Sequence, residues 1–135
     1  QGFTSTPVEM YSYERKIKNT ISNEFYYGTN PNSWIGKIGL MYVSDYGFAA
    51  DSSGWTTKLS SYNSNNSKNW LYLGSNEWTI SRNSGTASNA FDVFSGYVLN
   101  RNVIISYAVR PSFNLESSVK YVSGSGSMSD PVRVN

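Results

Sequence analysis

Apolar and polar residues near the start of the chain follow a helical spacing, which predicts an α-helix over residues 7 to 18. The residues at its beginning carry a helix start signal. Thr6 can serve as the N-cap, Pro7 suits the first helical position, and Glu9 stands three residues after Thr6, as a capping box requires. We therefore expect the helix to begin at Pro7.

The most apolar stretch of the chain, residues 35–43, predicts a central, buried strand. It is too short for a secure helix, and its glycines and β-branched residues favour a strand. Directly after it, Ser44 or Asp45 can cap a short helical turn that Gly47 limits. Before it, residues 23–34 predict a short strand followed by a turn.

Alternation of apolar and polar residues predicts a strand and a hairpin further along the chain. Residues 76–83 alternate with a period of two. Residues 90–94 and 97–101 predict two strands, and the two residues between them, Ser95 and Gly96, suit a tight hairpin turn. We expect these two strands to pair in antiparallel fashion.

The remaining segments predict a loop and further short strands. Residues 52–67 are polar and rich in serine and asparagine, and they predict a long loop or a short helix. Residues 103–115 predict a strand that bends or ends at Pro111, and residues 119–135 predict a strand and a Gly/Ser loop. Helices that come early and strands that come late indicate a single α+β domain over residues 1–135.

The length and composition fit one globular domain that works outside the cell. The 135 residues are enough to bury a core, only 15% of them are charged, and 16% are aromatic. Serine and asparagine together exceed a quarter of the chain. This composition favours a loop-rich extracellular domain over a disordered segment, because the aromatic side chains supply apolar area to bury.

The charge does not indicate a nucleic-acid partner. The formal net charge is +2, and the one basic cluster, Arg15, Lys16 and Lys18, is interpreted as a solvated helix face. No stretch approaches the length of a membrane span, so we expect no membrane contact within this chain. Because the chain begins at Gln1, we expect it to be a fragment or processed form of a longer exported protein.

The absence of two residue types narrows the chemistry most. The chain has no cysteine and no histidine. It therefore cannot form a Ser-His-Asp triad, use a cysteine nucleophile or build an ordinary zinc or haem site. We expect no catalysis, no cofactor and no metal, although nine acidic residues leave a carboxylate-based glycan-acting enzyme as an alternative.

Four motifs, taken in order, resemble a group of surface domains of Gram-positive bacteria. They are KIGLMYVSDYGFA at residues 37–49, EWTISRN at 77–83, FDVFSGYV at 91–98 and YAVRPSFNL at 107–115. The resemblance covers about residues 9–132 and is strongest to C-terminal domains of prepilin-like or other exported Firmicute proteins. Those domains also end in a Gly-rich tail like the SDP of residues 129–131.

The resemblance implies the C-type-lectin-like fold and a domain exported to the cell surface. The implied role is a non-enzymatic structural or interaction module, the exposed domain of a pilin-like filament subunit. The chain departs from the calcium-binding lectins of this fold, because it lacks the Glu-Pro-Asn, Gln-Pro-Asp and Trp-Asn-Asp strings that hold their calcium. We therefore do not expect calcium-dependent lectin activity.

Aromatic side chains around the polar loop are the candidate ligand-binding residues. Trp55, Tyr62 and Trp70 bracket residues 52–70, which have the composition of adaptable recognition loops. An adhesin or receptor-binding module for glycan or protein is therefore the first alternative function. The opposing interpretation is that these rings pack in the core.

Four other residues are predicted to have structural roles. They are Trp78, Gly96, Arg110 and Pro111. Arg110 stands between an apolar run and a proline, which is an unusual place for a charge that needs water. We expect its partly buried guanidinium to hold loop carbonyls or an acid in place.

Overall fold

A computed structural model of the chain describes residues 4–14, 36–62, 69–83, 85–127 and 129–135. The helices and strands, in chain order, are α1 (Pro7–Glu14), β1 (Gly39–Leu40), α2 (Val43–Phe48), β2 (Glu77–Arg82), β3 (Asn89–Phe94), β4 (Tyr97–Asn102), β5 (Pro111–Ser112), β6 (Tyr121–Ser123) and β7 (Arg133–Val134). Two short 3₁₀ turns, Ser52–Thr56 and Leu59–Ser61, follow α2. The predicted strand at 23–34 and residues 15–18 of the predicted helix lie outside the described residues.

Helix α1 starts as its sequence predicts. The backbone N–H of Thr6 donates to Glu9 Oε2 over 2.8 Å, and the backbone N–H of Glu9 donates to Thr6 Oγ1 over 3.3 Å. This reciprocal pair is the predicted capping box, which is confirmed. Pro7 occupies the first helical position and is buried.

The apolar run at residues 35–43 does not form the predicted central strand, and that prediction is wrong for the part that the structure describes. Only Gly39–Leu40 is a strand, half-buried in a two-stranded antiparallel sheet with β5. Met41 and Val43 are buried. Val43 is the first residue of α2, and Met41 lies just before it. These apolar residues therefore fill the core from the start of a helix.

Side chains satisfy the backbone N–H groups at the start of α2, which have no partners within the helix. The Val43 N–H donates to Ser81 Oγ over 3.0 Å, and the Ser44 N–H donates to Glu14 Oε2 over 3.1 Å. Asp45 Oδ2 accepts from the backbone N–H of Tyr42 over 2.9 Å. These bonds join α2 to α1 and to β2. The prediction that Ser44 or Asp45 caps this helix and that Gly47 limits it is wrong, because the N-cap is Tyr42 and all three residues lie inside α2.

Strands β2, β3 and β4 form a three-stranded antiparallel sheet in that order. The predicted hairpin is confirmed, because β3 and β4 pair along their whole length. Ser95 and Gly96 connect them with φ angles of 49° and 89°. This left-handed conformation at both positions is what a two-residue primed hairpin turn requires.

One face of this sheet packs with the helices around the core. The buried apolar side chains of the core are Met10, Met41, Val43, Tyr46, Leu59, Tyr62, Phe91, Val93 and Val98. The Tyr46 hydroxyl donates to the Gly96 carbonyl over 2.7 Å, which joins α2 to the hairpin turn. Because side chains alternate along a strand, the residues next to the core residues Phe91, Val93 and Val98 point toward the opposite face of the sheet.

Pro111 begins a strand instead of ending one, so this prediction is wrong. Residues 103–115 form no continuous strand: Ala108 pairs with Glu77 in an isolated parallel bridge, and β5 begins at Pro111 against β1. Proline fits there because the first residue of an edge strand needs no N–H for the ladder. The strand predicted within residues 119–135 is present as β6, which pairs with β7.

The described part of the chain is a mixed α+β structure with mainly antiparallel sheets. Every ladder is antiparallel apart from the isolated bridge at Ala108. The general α+β prediction is confirmed. Within these residues, no helix has the length and apolar character needed to cross a lipid bilayer.

Candidate binding surfaces

Four aromatic rings form a row along the β2–β3–β4 sheet, on the side that is opposite to Val93 and Val98 in the strand alternation, although one of them, Tyr97, also packs against the core. They are Trp78 of β2, Phe94 of β3, Tyr97 of β4 and Tyr107 from the segment after β4. The ring centroids of Trp78 and Tyr107 are 5.3 Å apart. Phe94 lies 6.4 Å from Tyr107 and 5.8 Å from Tyr97, between centroids. We call these four residues the aromatic row.

Backbone pairing beside β2 places Tyr107 in the aromatic row. The Trp78 N–H donates to the Ala108 carbonyl over 3.0 Å, and the Ala108 N–H donates to the Asn76 carbonyl over 3.0 Å. The segment therefore runs alongside β2 and carries the Tyr107 ring to Trp78. Each ring of the row is half-buried, so part of its surface can still contact a ligand.

A buried carboxylate and an arginine lie next to the aromatic row. Asp92 on β3 is completely buried, and its Oδ2 lies 3.4 Å from Nε of Arg101 on β4. The Arg101 guanidinium also lies over the Phe94 ring, 4.0 Å from the centroid. The carboxylate and the guanidinium therefore form an ion pair, in which Nε has no hydrogen-bond partner among the described residues, and the ring supports the flat face of the guanidinium.

The Asp92 carboxylate has lost its contact with water on burial, and hydrogen bonds from the described residues do not replace that contact. Neither oxygen has a partner in hydrogen-bond geometry among the described residues. Burial raises the pKa of Asp92 from its ordinary 3.8 to about 6. The positive charge of Arg101 and the backbone N–H of Asp92 lower the pKa by smaller amounts, and that N–H is not placed in hydrogen-bond geometry. At neutral pH the buried group is ionised at a cost in stability.

We expect the Asp92→Asn variant to lose a pH dependence that the unsubstituted protein shows. Because the pKa of Asp92 is higher in the folded than in the unfolded state, folding takes up protons between about pH 4 and pH 6. This group therefore lowers the free energy of unfolding by about 2 kcal/mol as the pH rises through that window. Asparagine cannot ionise and removes the effect.

Urea unfolding of both proteins at pH 4 and pH 7 measures this difference. The stability of Asp92→Asn relative to the unsubstituted protein should rise by about 2 kcal/mol from pH 4 to pH 7. Asp130→Asn, at a carboxylate with 51% side-chain exposure, controls for the removal of one negative charge. An equal relative stability at both pH values would contradict a buried, ionised Asp92.

A second buried acid, Glu77, is the partner of Arg110. Arg110 Nη2 donates to Glu77 Oε1 in an ion pair. Glu77 is only 5% exposed, and its other oxygen has no hydrogen-bond partner in the described part of the chain. The sequence left open whether Arg110 holds carbonyls or an acid, and the structure places an acid against it.

The other three residues predicted to be structural lie where elements meet. Gly96 lies in the hairpin turn, and its carbonyl accepts a hydrogen bond from the Tyr46 hydroxyl. Pro111 is the first residue of β5. Trp78 packs against Tyr107 in the aromatic row. Because Trp78 is partly exposed there, it also belongs to a surface that a ligand can reach.

The three predicted ligand-binding aromatics have different environments. Tyr62 is 6% exposed and lies in the core, where its hydroxyl donates to the Gly54 carbonyl over 2.6 Å and burial raises its pKa to about 12. Trp55 is 39% exposed, and its indole N–H donates to a backbone carbonyl over 3.1 Å. Trp70 is 73% exposed and offers the largest surface of the three. Residues 63–68 of the predicted loop lie outside the described residues.

Residues 103–134, which we call the C-terminal segment, expose most of their large apolar side chains. Nine of these side chains are between 46% and 84% exposed: Val103, Ile104, Val109, Phe113, Leu115, Tyr121, Val122, Val132 and Val134. Among the described residues, no buried apolar side chain of the core comes after Val98. The segment therefore adds apolar surface without adding to the core.

Sequence reasoning missed Asp92, Arg101 and Tyr107. Asp92 falls on the outward side of an alternating strand, where an exposed carboxylate is the usual expectation. One signal was available: Phe94 and Tyr97 fall on that same outward side, across the hairpin from each other. An outward face with several aromatic residues must be covered or used for binding.

The acidic side chains do not form a metal centre in the part of the chain that the structure describes. No three of them converge closely enough to hold an ion. In comparisons with protein-family models, curated proteins and solved structures, no match to the chain was found. The aromatic row, the C-terminal segment and the exposed tryptophans are therefore the candidate functional surfaces among the described residues.

Proposed function

We propose that this domain is a non-enzymatic interaction module of the C-type-lectin-like fold, displayed on a bacterial surface as the exposed domain of a pilin-like filament subunit. The observation that carries the proposal is the exposed apolar surface of the C-terminal segment. The absence of histidine and cysteine supports a role without catalysis. The low charge and the high serine and asparagine content support a location outside the cell.

The C-terminal segment concentrates apolar side chains that an isolated domain would expose to water. Ile104, Phe113 and Tyr121 are each at least 66% exposed. Single exposed apolar residues are ordinary, but a concentration of them is typical of a surface that binds a protein partner. Full burial of one such side chain gains about 1.5–3 kcal/mol, so a few of them can drive association.

Strand edges in the same segment support association between copies of the chain. Among the described residues, β6 and β7 pair only with each other, and β5 pairs only with β1. Each of these strands therefore has one edge whose N–H and C=O groups can pair with a strand of another molecule. Head-to-tail contacts between such surfaces produce a filament when they do not close into a ring.

Sedimentation velocity at several protein concentrations, combined with electron microscopy, tests this proposal. We expect association that increases with concentration, and filaments. Ile104→Ser and Phe113→Ser should each weaken association by about tenfold or more, because each removes apolar area from the contact. Leu73→Ser is the matched control, since Leu73 is 70% exposed but lies outside the C-terminal segment. A chain that stays monomeric throughout would contradict the proposal.

Recognition of a glycan or protein through residues 52–70 is the second candidate function. The exposure of Trp70 favours it, because an exposed indole ring is a ready stacking surface. Trp55 contributes a smaller exposed area, and Tyr62 contributes almost none. A monomeric chain that binds to a glycan array or to cells would favour this adhesin role over the filament.

A further inference from the structure

We propose that Arg101 and the aromatic row form a binding site for an acidic sugar, meaning a pyranose ring that carries a carboxylate. The site lies beside the β2–β3–β4 sheet, shares only Tyr107 with the C-terminal segment and uses none of residues 52–70. Three properties of this face support it: an arginine with free donors, a neighbouring carboxylate that is buried away from the ligand, and rings that can stack.

Arg101 is held in place but is not fully used by the protein. Asp92 lies against its Nε and Phe94 supports its flat face, while 30% of the side chain remains exposed. No described residue accepts a hydrogen bond from its terminal nitrogens. A fixed guanidinium with a free outer edge is the geometry that binds a carboxylate through two parallel hydrogen bonds.

The neighbouring polar groups are mainly donors. Within the described part of the chain, the indole N–H of Trp78 and the hydroxyls of Tyr97 and Tyr107 have no protein hydrogen-bond partner. The one carboxylate of the site, Asp92, is completely buried, so a ligand cannot reach it. The two phenol hydroxyls can also accept hydrogen bonds, but the charged group that the site exposes is the Arg101 guanidinium, which is complementary to an anionic ligand.

The aromatic row favours a ligand that carries a sugar ring next to the carboxylate bound by Arg101. Its centroids are spaced by 5.3–6.4 Å, and every ring keeps an exposed part. Because Arg101 covers one face of Phe94, the C–H face of a pyranose packs on the exposed part of Trp78 or Tyr107, while its hydroxyls reach the indole N–H and the phenol groups. Stacking and the Arg101 contact together describe an acidic sugar better than either a free anion or a neutral sugar.

The test compares methyl β-glucuronide with methyl β-glucoside, which differ only in the carboxylate. Both are titrated into the protein while the indole N–H signal of Trp78, assigned with Trp78→Phe, is followed by NMR. We expect the glucuronide to bind at least about tenfold more tightly and to bind less tightly as salt is added. Equal affinity for the two sugars, or no response to the glucuronide at tens of millimolar, overturns the proposal.

Variants locate the carboxylate contact. Arg101→Lys keeps the positive charge but loses the planar fork, and it should weaken glucuronide binding about tenfold while the glucoside is unaffected. Arg133→Lys is the matched control, because Arg133 forms an exposed ion pair far along the sequence and should bind as the unsubstituted protein does. Unchanged glucuronide binding by a folded Arg101→Lys variant overturns the proposal. If that variant does not fold, the comparison of the two sugars on the unsubstituted protein decides alone.

Discussion

The Arg110→Ala variant is expected to unfold with a free energy about 2–4 kcal/mol lower than that of the unsubstituted protein. Glu77 is almost completely buried, and Arg110 is its ion-pair partner. Alanine would leave the Glu77 carboxylate without a counter-charge. The loss is severe because the second oxygen of Glu77 has no hydrogen-bond partner among the described residues to compensate for it. Urea unfolding followed by tryptophan fluorescence at neutral pH measures the loss.

Two further variants separate the buried charge from the loss of a long side chain. Adding Glu77→Gln to Arg110→Ala removes the unpaired charge and should restore at least about 1 kcal/mol. Arg133→Ala breaks an exposed ion pair with Asp130, whose atoms are 3.4 Å apart, and should cost less than about 0.5 kcal/mol. If Arg110→Ala were as stable as the unsubstituted protein but no longer bound the ligand or partner of the domain, Arg110 would be a ligand-binding residue and not a structural one.

A single methyl group at Gly47 should destabilise the domain by about 2–3 kcal/mol. A Cβ there would lie 2.5 Å from Pro7 Cγ and 3.1 Å from Leu59 Cδ2. The Pro7 ring is rigid and buried, so it cannot move aside without displacing the start of α1. This overlap outweighs the gain in helix propensity from glycine to alanine, which is about 1 kcal/mol.

Gly39→Ala is the matched control for Gly47→Ala. At Gly39 the nearest neighbour of a new Cβ is Ile80 Cδ1 at 3.9 Å, which is an ordinary contact. Its stability should change by less than about 1 kcal/mol, and urea unfolding of both variants measures the contrast. Equal stability of the two variants would refute the close packing of α2 against Pro7.

The elements that the sequence predicts correctly are those decided by nearby residues. The capping box needs only Thr6 and Glu9, which are three residues apart and bond to each other. The β3–β4 hairpin needs only alternation and a Ser95–Gly96 turn that can take positive φ. Both signals are local, so the rest of the fold cannot easily override them.

The elements that the sequence predicts wrongly depend on distant partners. The run at residues 35–43 is apolar enough for a buried strand, but Ser81 and Glu14 accept from the backbone at its end and start a helix there. Pro111 can end a strand or begin one, and the choice follows from its pairing with Leu40. Periodicity within a segment carries no information about either partner.

The candidate sites divide in the same way. An aromatic residue beside a polar loop is either a ligand contact or a core residue, and only the fold shows that Tyr62 is buried while Trp70 is exposed. Asp92 and Arg101 lie on different strands, two positions out of direct register across the hairpin. Their proximity follows from the pairing of β3 with β4, which alternation within either strand does not show.

The placement of the tryptophans gives the protein internal reporters of cooperativity. Trp55 packs on Phe48 at the end of α2, with ring centroids 5.4 Å apart, whereas Trp78 packs on Tyr107 beside the sheet. Since α2 and the sheet share one core, a two-state transition gives both indoles the same unfolding midpoint. Fluorescence from variants that retain one or the other would therefore show whether the helical region can open while the sheet stays folded.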